Sequence, residues 1–341
     1  MSILQDHDNV TFYDENGNKI DQRYYERDEQ MEAYHFVPPD GVVLELGARY
    51  GVVSCLINRI LNNPKNHLVV EPDKNVIPAL LRNRYNSNRE FHIFNGTVSR
   101  KPLRFIPNGI SSYTIIEDKG NILTLTIEQI EKIYGLKFDV LVSDCEGFII
   151  HFARENDLGQ FKMIVLEKDY PMIYDEEFEN QLFKKNFIRI SNRLASNNCY
   201  MSAYANMNFL PFKIISYQVS RGTIGLFGKL GYEAVIDGVA TTSLNIKKYG
   251  NNIVPISVHA NSNLIIETNK HLTVRGCNLS TSKKSPKITF LCDKMDIGTV
   301  SYDSKETKTF NIEPGLHEFI INTDCIEYAY SILLFQERES L

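Results

Sequence analysis

A strand-like run that ends in two glycines and continues as a helix-like run constrains this chain more than any other feature. Residues 42–46 read VVLEL, Gly47 and Gly51 follow, and apolar residues from Val53 to Leu61 then recur at helical spacing. This pattern predicts a tight strand-to-helix turn at which bare backbone can approach a ligand closely.

The same alternation of strand and helix patterns continues to about residue 205. It predicts a Rossmann-like, doubly wound and mostly parallel sheet of the α/β class. We expect Asp73 to cap one helix and Pro78 to bend it. The predicted strands are 42–46, 67–71, 91–94, 138–143 and 161–167, the predicted helices are 73–86, 127–135 and 176–186, and 187–191 and 200–205 are expected to pair as an antiparallel edge.

The rhythm changes after about residue 210. Short alternating runs such as NLIIET and KITFL are separated by turn residues roughly every ten positions, which predicts an all-β sandwich or jelly roll. We therefore divide the chain into an N-terminal extension or flap (1–40), an α/β domain (41–210) and a β-sandwich domain (211–341).

The ligand of the glycine turn is indicated by an acid at the end of the second strand. Glu71 lies twenty residues beyond Gly51, where a carboxylate can accept hydrogen bonds from both hydroxyls of a ribose. A dinucleotide and S-adenosylmethionine (SAM) both fit. The G-x-G-x-x-G pattern is absent and Glu45 would repel a pyrophosphate, so SAM fits better. The predicted cofactor-binding residues are Glu45, Gly47, Ala48, Arg49, Gly51, Glu71, Pro72, Asn95, Gly96, Thr97 and Asp144.

Acidic residues cluster at the predicted ends of the fourth and fifth strands, the edge at which open α/β sheets bind ligands. Asp144 is expected to bind the methionine amine of the cofactor or the acceptor. Glu146 is the first choice for general base and His151 the second, although His151 could equally be a partly buried helix residue. The predicted substrate-binding residues are Ser112, Tyr113, Glu167, Asp169 and Tyr170.

Several motifs resemble those of the FkbM family of SAM-dependent methyltransferases, over about residues 40–205. The family's D-x-G-A-N-x-G-x-x-S resembles the segment from Glu45 to Ser54, and its E-P resembles Glu71-Pro72. Later family motifs resemble T-I-E at 126–128, S-D-C-E-G at 143–147 and L-E at 166–167. The chain departs from the family at Arg49, where an asparagine is usual, and lacks the lysine before Asp144.

This resemblance implies a class I methyltransferase sheet and methyl transfer from SAM to a hydroxyl of a sugar, nucleotide-sugar or glycan, with S-adenosylhomocysteine (SAH) as the product. A divalent metal could be held by the acids, but no ligand pattern indicates one. The β-rich domain could bind glycan or form homo-oligomers.

Composition limits the other function classes. The formal net charge of −5 disfavours nucleic acid as a partner. No apolar run is long enough to span a membrane, and the scattered cysteines indicate a reducing compartment. We expect a cytoplasmic location, in the host cytoplasm if the source is a virus. Two other functions compete: a binding or structural protein whose methyltransferase domain has decayed, and an RNA 2′-O-methyltransferase.

Overall fold

The computed structural model describes residues 3–109, 112–168, 171–195, 199–219, 253–259, 262–278, 287–301, 307–323 and 330–338. The chain forms two compact units. The first comprises Met1–Lys185 with Leu194–Ala203, and the second Asn186–Arg193 with Tyr204–Leu341. The domain boundaries taken from the sequence, near residues 40 and 210, stay predictions.

The α-helices of the described residues all precede residue 185. They are α1 (Ile3–Asp8), α2 (Arg27–Phe36), α3 (Val52–Ile60), α4 (Ile77–Asn86), α5 (Ile127–Tyr134), α6 (Ile149–Glu155) and α7 (Pro171–Lys184). Within the described part of the chain, none of these helices is long and apolar enough to cross a membrane.

Seven strands form the central sheet, and short strands pair beside it. The strands up to residue 206 are β1 (Phe12–Tyr13), β2 (Lys19–Ile20), β3 (Val43–Leu46), β4 (His67–Glu71), β5 (His92–Asn95), β6 (Thr97–Val98), β7 (Leu103–Ile106), β8 (Tyr113–Ile116), β9 (Thr124–Leu125), β10 (Val140–Ser143), β11 (Met163–Lys168), β12 (Phe187–Leu194) and β13 (Tyr200–Asn206).

The order of the central sheet confirms the predicted class. It runs β12-β13-β11-β10-β3-β4-β5, and the pairs from β11 to β5 are parallel. Counted along the chain from the β5 edge, the strand order is 3-2-1-4-5-7-6. The order reverses between β3 and β10, and ligands of open α/β sheets bind beside such a switch point.

Both faces of the central strands are covered, which explains their almost unbroken apolar sequences. Every residue of β3, β4 and β10 is buried. Strands buried on both faces lose the alternation of polar and apolar residues that half-exposed strands show. Ligands can therefore reach these central strands only at the ends of the strands, and not across the faces of the sheet.

The helix that follows β4 begins later than the sequence predicts. Residue Val76 is its N-cap, so Pro78 lies in the first turn, where a missing N–H group removes no helical hydrogen bond. The predicted bend at Pro78 is therefore wrong. Asp73 instead accepts the amide of Asn75 at 2.9 Å in the preceding turn, so the predicted helix cap is also wrong.

The second unit consists of two antiparallel sheets. Its described strands are β14 (Lys213–Val219), β15 (Ile253–His259), β16 (Ser262–Thr268), β17 (Leu272–Asn278), β18 (Lys287–Cys292), β19 (Met295–Ser301), β20 (Lys308–Ile312), β21 (Gly315–Thr323) and β22 (Tyr330–Glu337). Among these, one sheet has the order β14-β16-β21-β18-β19 and the other β15-β22-β17-β20.

Aromatic side chains join these two sheets face to face. Phe319 of the first sheet lies 5.7 Å from Phe335 and 5.8 Å from Phe310 of the second, measured between ring centroids. At Gly276 an added Cβ would lie 2.9 Å from the ring of Phe290, so this close approach requires glycine. The predicted β-sandwich is confirmed.

Candidate active site

A cleft of about 830 Å³, counting the solvent at its mouth, lies at the carboxyl ends of β3, β4 and β10. This is the edge of the sheet at which the sequence places the ligand. The cleft brings together ten of the predicted site residues: Gly47, Ala48, Arg49, Glu71, Pro72, Thr97, Ser112, Tyr113, Asp144 and Glu146.

Gly47 is required by the packing of two backbones. Its φ of 81° is in the left-handed region, and an added Cβ would lie 1.7 Å from the carbonyl oxygen of Asp144. The Asp144 amide in turn donates to the Leu46 carbonyl at 2.9 Å. The turn after β3 and the turn after β10 are therefore held against each other at the floor of the cleft.

Gly51 serves packing and is not among the residues that line the cleft; its contact with a cofactor stays a prediction. It is the N-cap of α3 with a φ of 77°, and an added Cβ would lie 2.4 Å from the Leu80 side chain. The second glycine of the motif thus lets α4 pack closely against the start of α3.

The Glu71 carboxylate holds the glycine turn through backbone amides. Its Oε2 accepts from Ala48 at 3.2 Å and Arg49 at 2.7 Å, and its Oε1 accepts from Asp73 at 2.7 Å. Burial raises the pKa of Glu71, and these three amides partly offset the shift. Since a carboxylate oxygen can accept two hydrogen bonds, Oε1 retains capacity for a hydroxyl group.

Glu45 lies in the interior and does not line the cleft, although the sequence suggested a role in cofactor binding. Its carboxylate accepts from the Ser54 hydroxyl at 2.8 Å and lies 2.8 Å from His67 Nε2. Both Glu45 and His67 are buried. The expectation that Glu45 repels a phosphate in the cleft is therefore wrong, because its carboxylate is buried and contacts Ser54 and His67.

Of Asn95, Gly96 and Thr97, which the sequence predicts to bind the cofactor, only Thr97 lines the cleft. Asn95 donates from its side chain to the Glu71 carbonyl at 2.8 Å and so supports the end of β4. Gly96 lies against the ring of Phe94 and the Leu123 carbonyl, where an added Cβ would come within 2.6 Å of both. Asn95 and Gly96 thus support neighbouring residues without lining the cleft themselves.

The turn after β10 places two acids on the opposite side of the cleft. Glu146 and Gly147 have φ values of 48° and 78°, both in the left-handed region. This sharp turn puts Asp144, Cys145 and Glu146 on the cleft wall. Burial, followed by the nearby charge of Glu167, raises the pKa of Glu146 above its ordinary value, which is the direction that favours a general base.

The N-terminal segment supplies a wall that sequence reasoning missed. Tyr25 and Glu26, which directly precede α2, line the cleft, and Glu26 has a left-handed φ of 49°. Burial raises the pKa of Glu26 to about 8, the charge of Glu167 adds to the shift, and a hydrogen bond with Tyr25 opposes it. Neutral Gln30 fixes the segment by donating to the Gln22 and Tyr25 carbonyls, each at 2.7 Å.

Three carboxyl groups, one of them from the cleft lining, converge next to this segment. Glu29, Asp144 and Glu167 each place an oxygen within 4.8 Å of the others. Burial and then the charge of Asp144 raise the pKa of Glu29 well above its ordinary value, and Glu29 hydrogen-bonds with Glu167. This raised pKa favours a proton on Glu29, which the hydrogen bond shares with Glu167.

Arg49 carries the positive charge of the cleft wall. Its guanidinium donates to the Gly109 carbonyl at 2.7 Å and the Tyr50 hydroxyl at 3.0 Å. Tyr50 donates in turn to Glu15. The backbone of Arg49 has a φ of 44°, and an asparagine, the residue usual in the FkbM motif that this segment resembles, would also suit this left-handed position.

The five predicted substrate-binding residues lie in different places. Ser112 and Tyr113 line the cleft, and the Ser112 hydroxyl donates to the Gly109 carbonyl at 2.8 Å. Glu167 is not among the residues that line the cleft, and it hydrogen-bonds with Glu29. Asp169 and Tyr170 lie outside the described residues.

His151 does not line the cleft, so the structure does not support its choice as the second general base. It lies on α6 with its ring centroid 5.7 Å from that of Phe148. Burial, followed by the charge of Arg154, lowers its pKa. The alternative reading, a partly buried helix residue, agrees with this placement.

Comparisons with known proteins return structures and no sequence relatives. No protein-family model matches the chain, and no curated protein matches it. Among similar solved structures is a ribosomal protein L11 methylase from Lactobacillus delbrueckii subsp. bulgaricus, with 11% identity, a TM-score of 0.35 and coverage of 58% of this chain and 81% of the other. A precorrin-6y C5,15-methyltransferase from Geobacter metallireducens has 12% identity, a TM-score of 0.32 and coverage of 51% and 83%.

An O-methyltransferase from Bacillus cereus, crystallised in complex with SAH, has 11% identity, a TM-score of 0.31 and coverage of 54% of this chain and 80% of the other. Likenesses with these values carry no functional argument of their own.

Proposed function

We propose that the chain is a SAM-dependent methyltransferase that transfers a methyl group to a hydroxyl of a sugar or glycan. The observation that carries the proposal is a cleft at the switch point of a class I sheet, bounded by the Gly47 turn, by Glu71 and by the Asp144–Glu146 turn. These are the positions at which the sequence motifs place the cofactor.

The charge of the cleft supports a cationic ligand. Its described lining contains five acids, Glu26, Glu71, Asp73, Asp144 and Glu146, and one arginine, Arg49. Even with Glu26 protonated, the negative charges outnumber the positive one. A sulfonium fits such a cleft better than the pyrophosphate of a dinucleotide does, because phosphates would face uncompensated carboxylates.

The residues present also fit the uncharged parts of SAM. Glu71 retains an acceptor position for a ribose hydroxyl, and Thr97, Val98 and Phe105 form a less polar wall suited to an adenine ring. Asp144 lies across the cleft floor from Glu71, where its carboxylate could bind the methionine amine. The bound cofactor would supply an electrophilic methyl group on a sulfonium.

The chain's own contribution is to position the acceptor, exclude water and take up a proton. Fixing the reacting atoms in line can supply roughly 7–11 kcal/mol of the barrier reduction. The acceptor oxygen gains the methyl carbon as the carbon–sulfur bond breaks, and its proton passes to the Glu146 carboxylate. A positioned base of this kind contributes about 10²–10⁴-fold.

The same charges narrow the class of acceptor. Of the sugar, nucleotide-sugar and glycan acceptors that the resemblance implies, the acid-rich lining favours a neutral sugar or glycan hydroxyl over a diphosphate-bearing one. Tyr113, half-exposed at the mouth, offers an aromatic surface for a sugar ring.

Titration calorimetry of SAM and SAH into the full chain tests the cofactor. We expect micromolar binding to the wild type and a strong loss in Glu71→Gln, because the amide cannot accept from the turn and the ribose as a carboxylate does. Glu155→Gln is the matched control: Glu155 also accepts a backbone amide, from Arg100 at 2.7 Å, but lies away from the cleft.

The outcomes separate the competing functions. Wild-type protein that binds neither ligand would overturn the proposal and favour a decayed domain with a binding role. Where SAH binds, transfer of labelled methyl from SAM to neutral glycans, nucleotide-sugars and capped RNA identifies the acceptor, and activity confined to RNA would contradict the sugar assignment.

A further inference from the structure

A two-residue hairpin turn in the β-sandwich gathers three different metal-binding side chains. Asp293 and Lys294 connect β18 to β19 with φ values of 51° and 69°, as a tight turn between antiparallel strands requires. Cys292 ends β18, and His317 lies on β21, which pairs with β18. The sulfur, a carboxylate oxygen and a ring nitrogen of these residues all lie within 4.8 Å of one another.

The Asp293 side chain is fixed with one oxygen aimed at the other two groups. Its Oδ1 accepts the amide of Glu318 at 2.8 Å, and its own amide donates to the Glu318 carbonyl at 2.8 Å. The second oxygen, Oδ2, lies 2.7 Å from His317 Nδ1 and 3.7 Å from the Cys292 sulfur. The position of the Asp293 carboxylate is therefore fixed by its hydrogen bonds to the backbone of Glu318.

The other ring nitrogen of His317 determines which atom faces the cluster. Nε2 lies 2.7 Å from the Glu313 carbonyl oxygen, which can only accept, so Nε2 carries a proton. Nδ1 then faces the carboxylate either with a second proton or with its lone pair toward a cation. A histidine whose far nitrogen donates to a backbone carbonyl is the usual arrangement of a metal ligand and its supporting group.

The separations suit a small tetrahedral ion. Ligands at 2.0–2.3 Å from zinc stand roughly 3.3–3.7 Å apart, which matches the 3.7 Å between Cys292 Sγ and Asp293 Oδ2. The 2.7 Å between Asp293 and His317 would open by about half an ångström as an ion replaces the shared proton. One thiolate and one imidazole select zinc over calcium or magnesium, which prefer oxygen ligands.

Accessibility differs between the three groups in a way that leaves an entry path. Cys292 is 2% exposed, whereas the side chains of His317 and Asp293 are 13% and 39% exposed. An ion can therefore reach the carboxylate and imidazole from solvent and then take the buried sulfur as its third ligand.

We propose that Cys292, Asp293 and His317 bind a zinc ion through Sγ, Oδ2 and Nδ1, with the fourth position open to solvent. The ion would lock the β18–β19 turn to β21, at a site separate from the methyltransferase cleft. This proposal is independent of the proposed function.

Cobalt spectroscopy on the full-length protein tests the site. Chelator-stripped wild type titrated with Co²⁺ should show tetrahedral visible bands and a near-ultraviolet thiolate-to-cobalt band, both displaced by one equivalent of Zn²⁺. Cys292→Ala should lose the thiolate band, while Cys277→Ala, which removes another buried cysteine of the sandwich, should keep it. Zinc affinity in Cys292→Ala should fall by at least the roughly 10- to 100-fold that losing an outer-shell partner costs.

His317→Gln guards against misfolding of the cysteine variant, because it changes a residue nearer the surface; it should also weaken zinc binding. Far-ultraviolet circular dichroism establishes that each variant is folded. No thiolate band in the wild type, or an equal band in Cys292→Ala and Cys277→Ala, would overturn the proposal and leave His317 and Asp293 as a simple ion pair.

Discussion

Glu45 and Glu71 are two buried glutamates on neighbouring parallel strands, yet they lie in different environments. Glu45 is 2% exposed and contacts Ser54 and His67, whereas Glu71 is 6% exposed and holds the glycine turn beside the cleft. The strand register pairs Glu45 with Val69, so Glu71 lies two residues, or about 7 Å, nearer the edge of the sheet. Depth along the strand, more than residue type or exposure, separates a structural acid from one that faces a ligand.

The largest effect is expected from removing Glu45, the structural acid of this pair. Glu45→Ala should lower the free energy of unfolding by about 3–5 kcal/mol, because it leaves the His67 ring buried without its carboxylate. Urea unfolding measures the change. The SAH affinity of the protein that remains folded should be unaltered. A loss of SAH affinity without a loss of stability would show that Glu45 acts in ligand binding and not in the interior.

A catalytic effect of similar size is expected on the cleft side. Glu146→Gln should reduce kcat for methyl transfer by about 10²–10⁴-fold, because the amide cannot take the acceptor's proton. SAH affinity and the urea midpoint should stay close to wild type, since Glu146 lies on an open turn. Steady-state kinetics and calorimetry check the two halves, and an unchanged kcat would assign the proton to another group.

Glu26 extends the comparison to an acid that stays protonated. Its folded-state pKa of about 8 lies above the ordinary value of 4.5. Between these values the native state holds a proton that the unfolded state lacks, so stability falls as pH rises, by up to about 1.4 kcal/mol per pH unit.

Glu26→Gln removes this dependence. Relative to wild type, the variant should gain roughly 1–3 kcal/mol of stability between pH 6 and pH 8. Urea unfolding at the two pH values measures the gain, and Glu90→Gln on the protein surface serves as the control. A gain that is the same at both pH values would show that Glu26 does not titrate in this range.

Sequence patterns predicted the central sheet well because its strands are long apolar runs bounded by turns. The strand at 67–71 matches the structure residue for residue. The same feature hides the orientation of Glu45: in a strand buried on both faces, alternation does not say which face a polar residue takes. The start of α4 was misplaced because a plausible cap at Asp73 precedes a further turn.

The positions of the cleft residues on β3, β4 and β10 were predictable, because the carboxyl ends of adjacent parallel strands must meet at one edge. Tyr25 and Glu26 were not, since they reach the cleft only through the packing of α2 against β11 and α3. No local pattern encodes the contact between α2 and β11, which lie more than a hundred residues apart in the chain. The raised pKa of Glu26 likewise depends on Glu167, which the fold brings near it.

The smallest effect is expected at the residue that sequence and structure place differently. His151 lies on α6 and packs against Phe148, the N-cap residue of that helix; His151 does not itself line the cleft, and burial lowers its pKa. His151→Gln should therefore change kcat by less than about twofold and stability by less than about 0.5 kcal/mol, as for a partly exposed helix position. The pH dependence of kcat in this variant, compared with Glu146→Gln, decides the matter: if His151→Gln removes the acidic limb of the profile and Glu146→Gln leaves it intact, the proton acceptor lies on α6, and depth along the strands does not identify the catalytic side of this site.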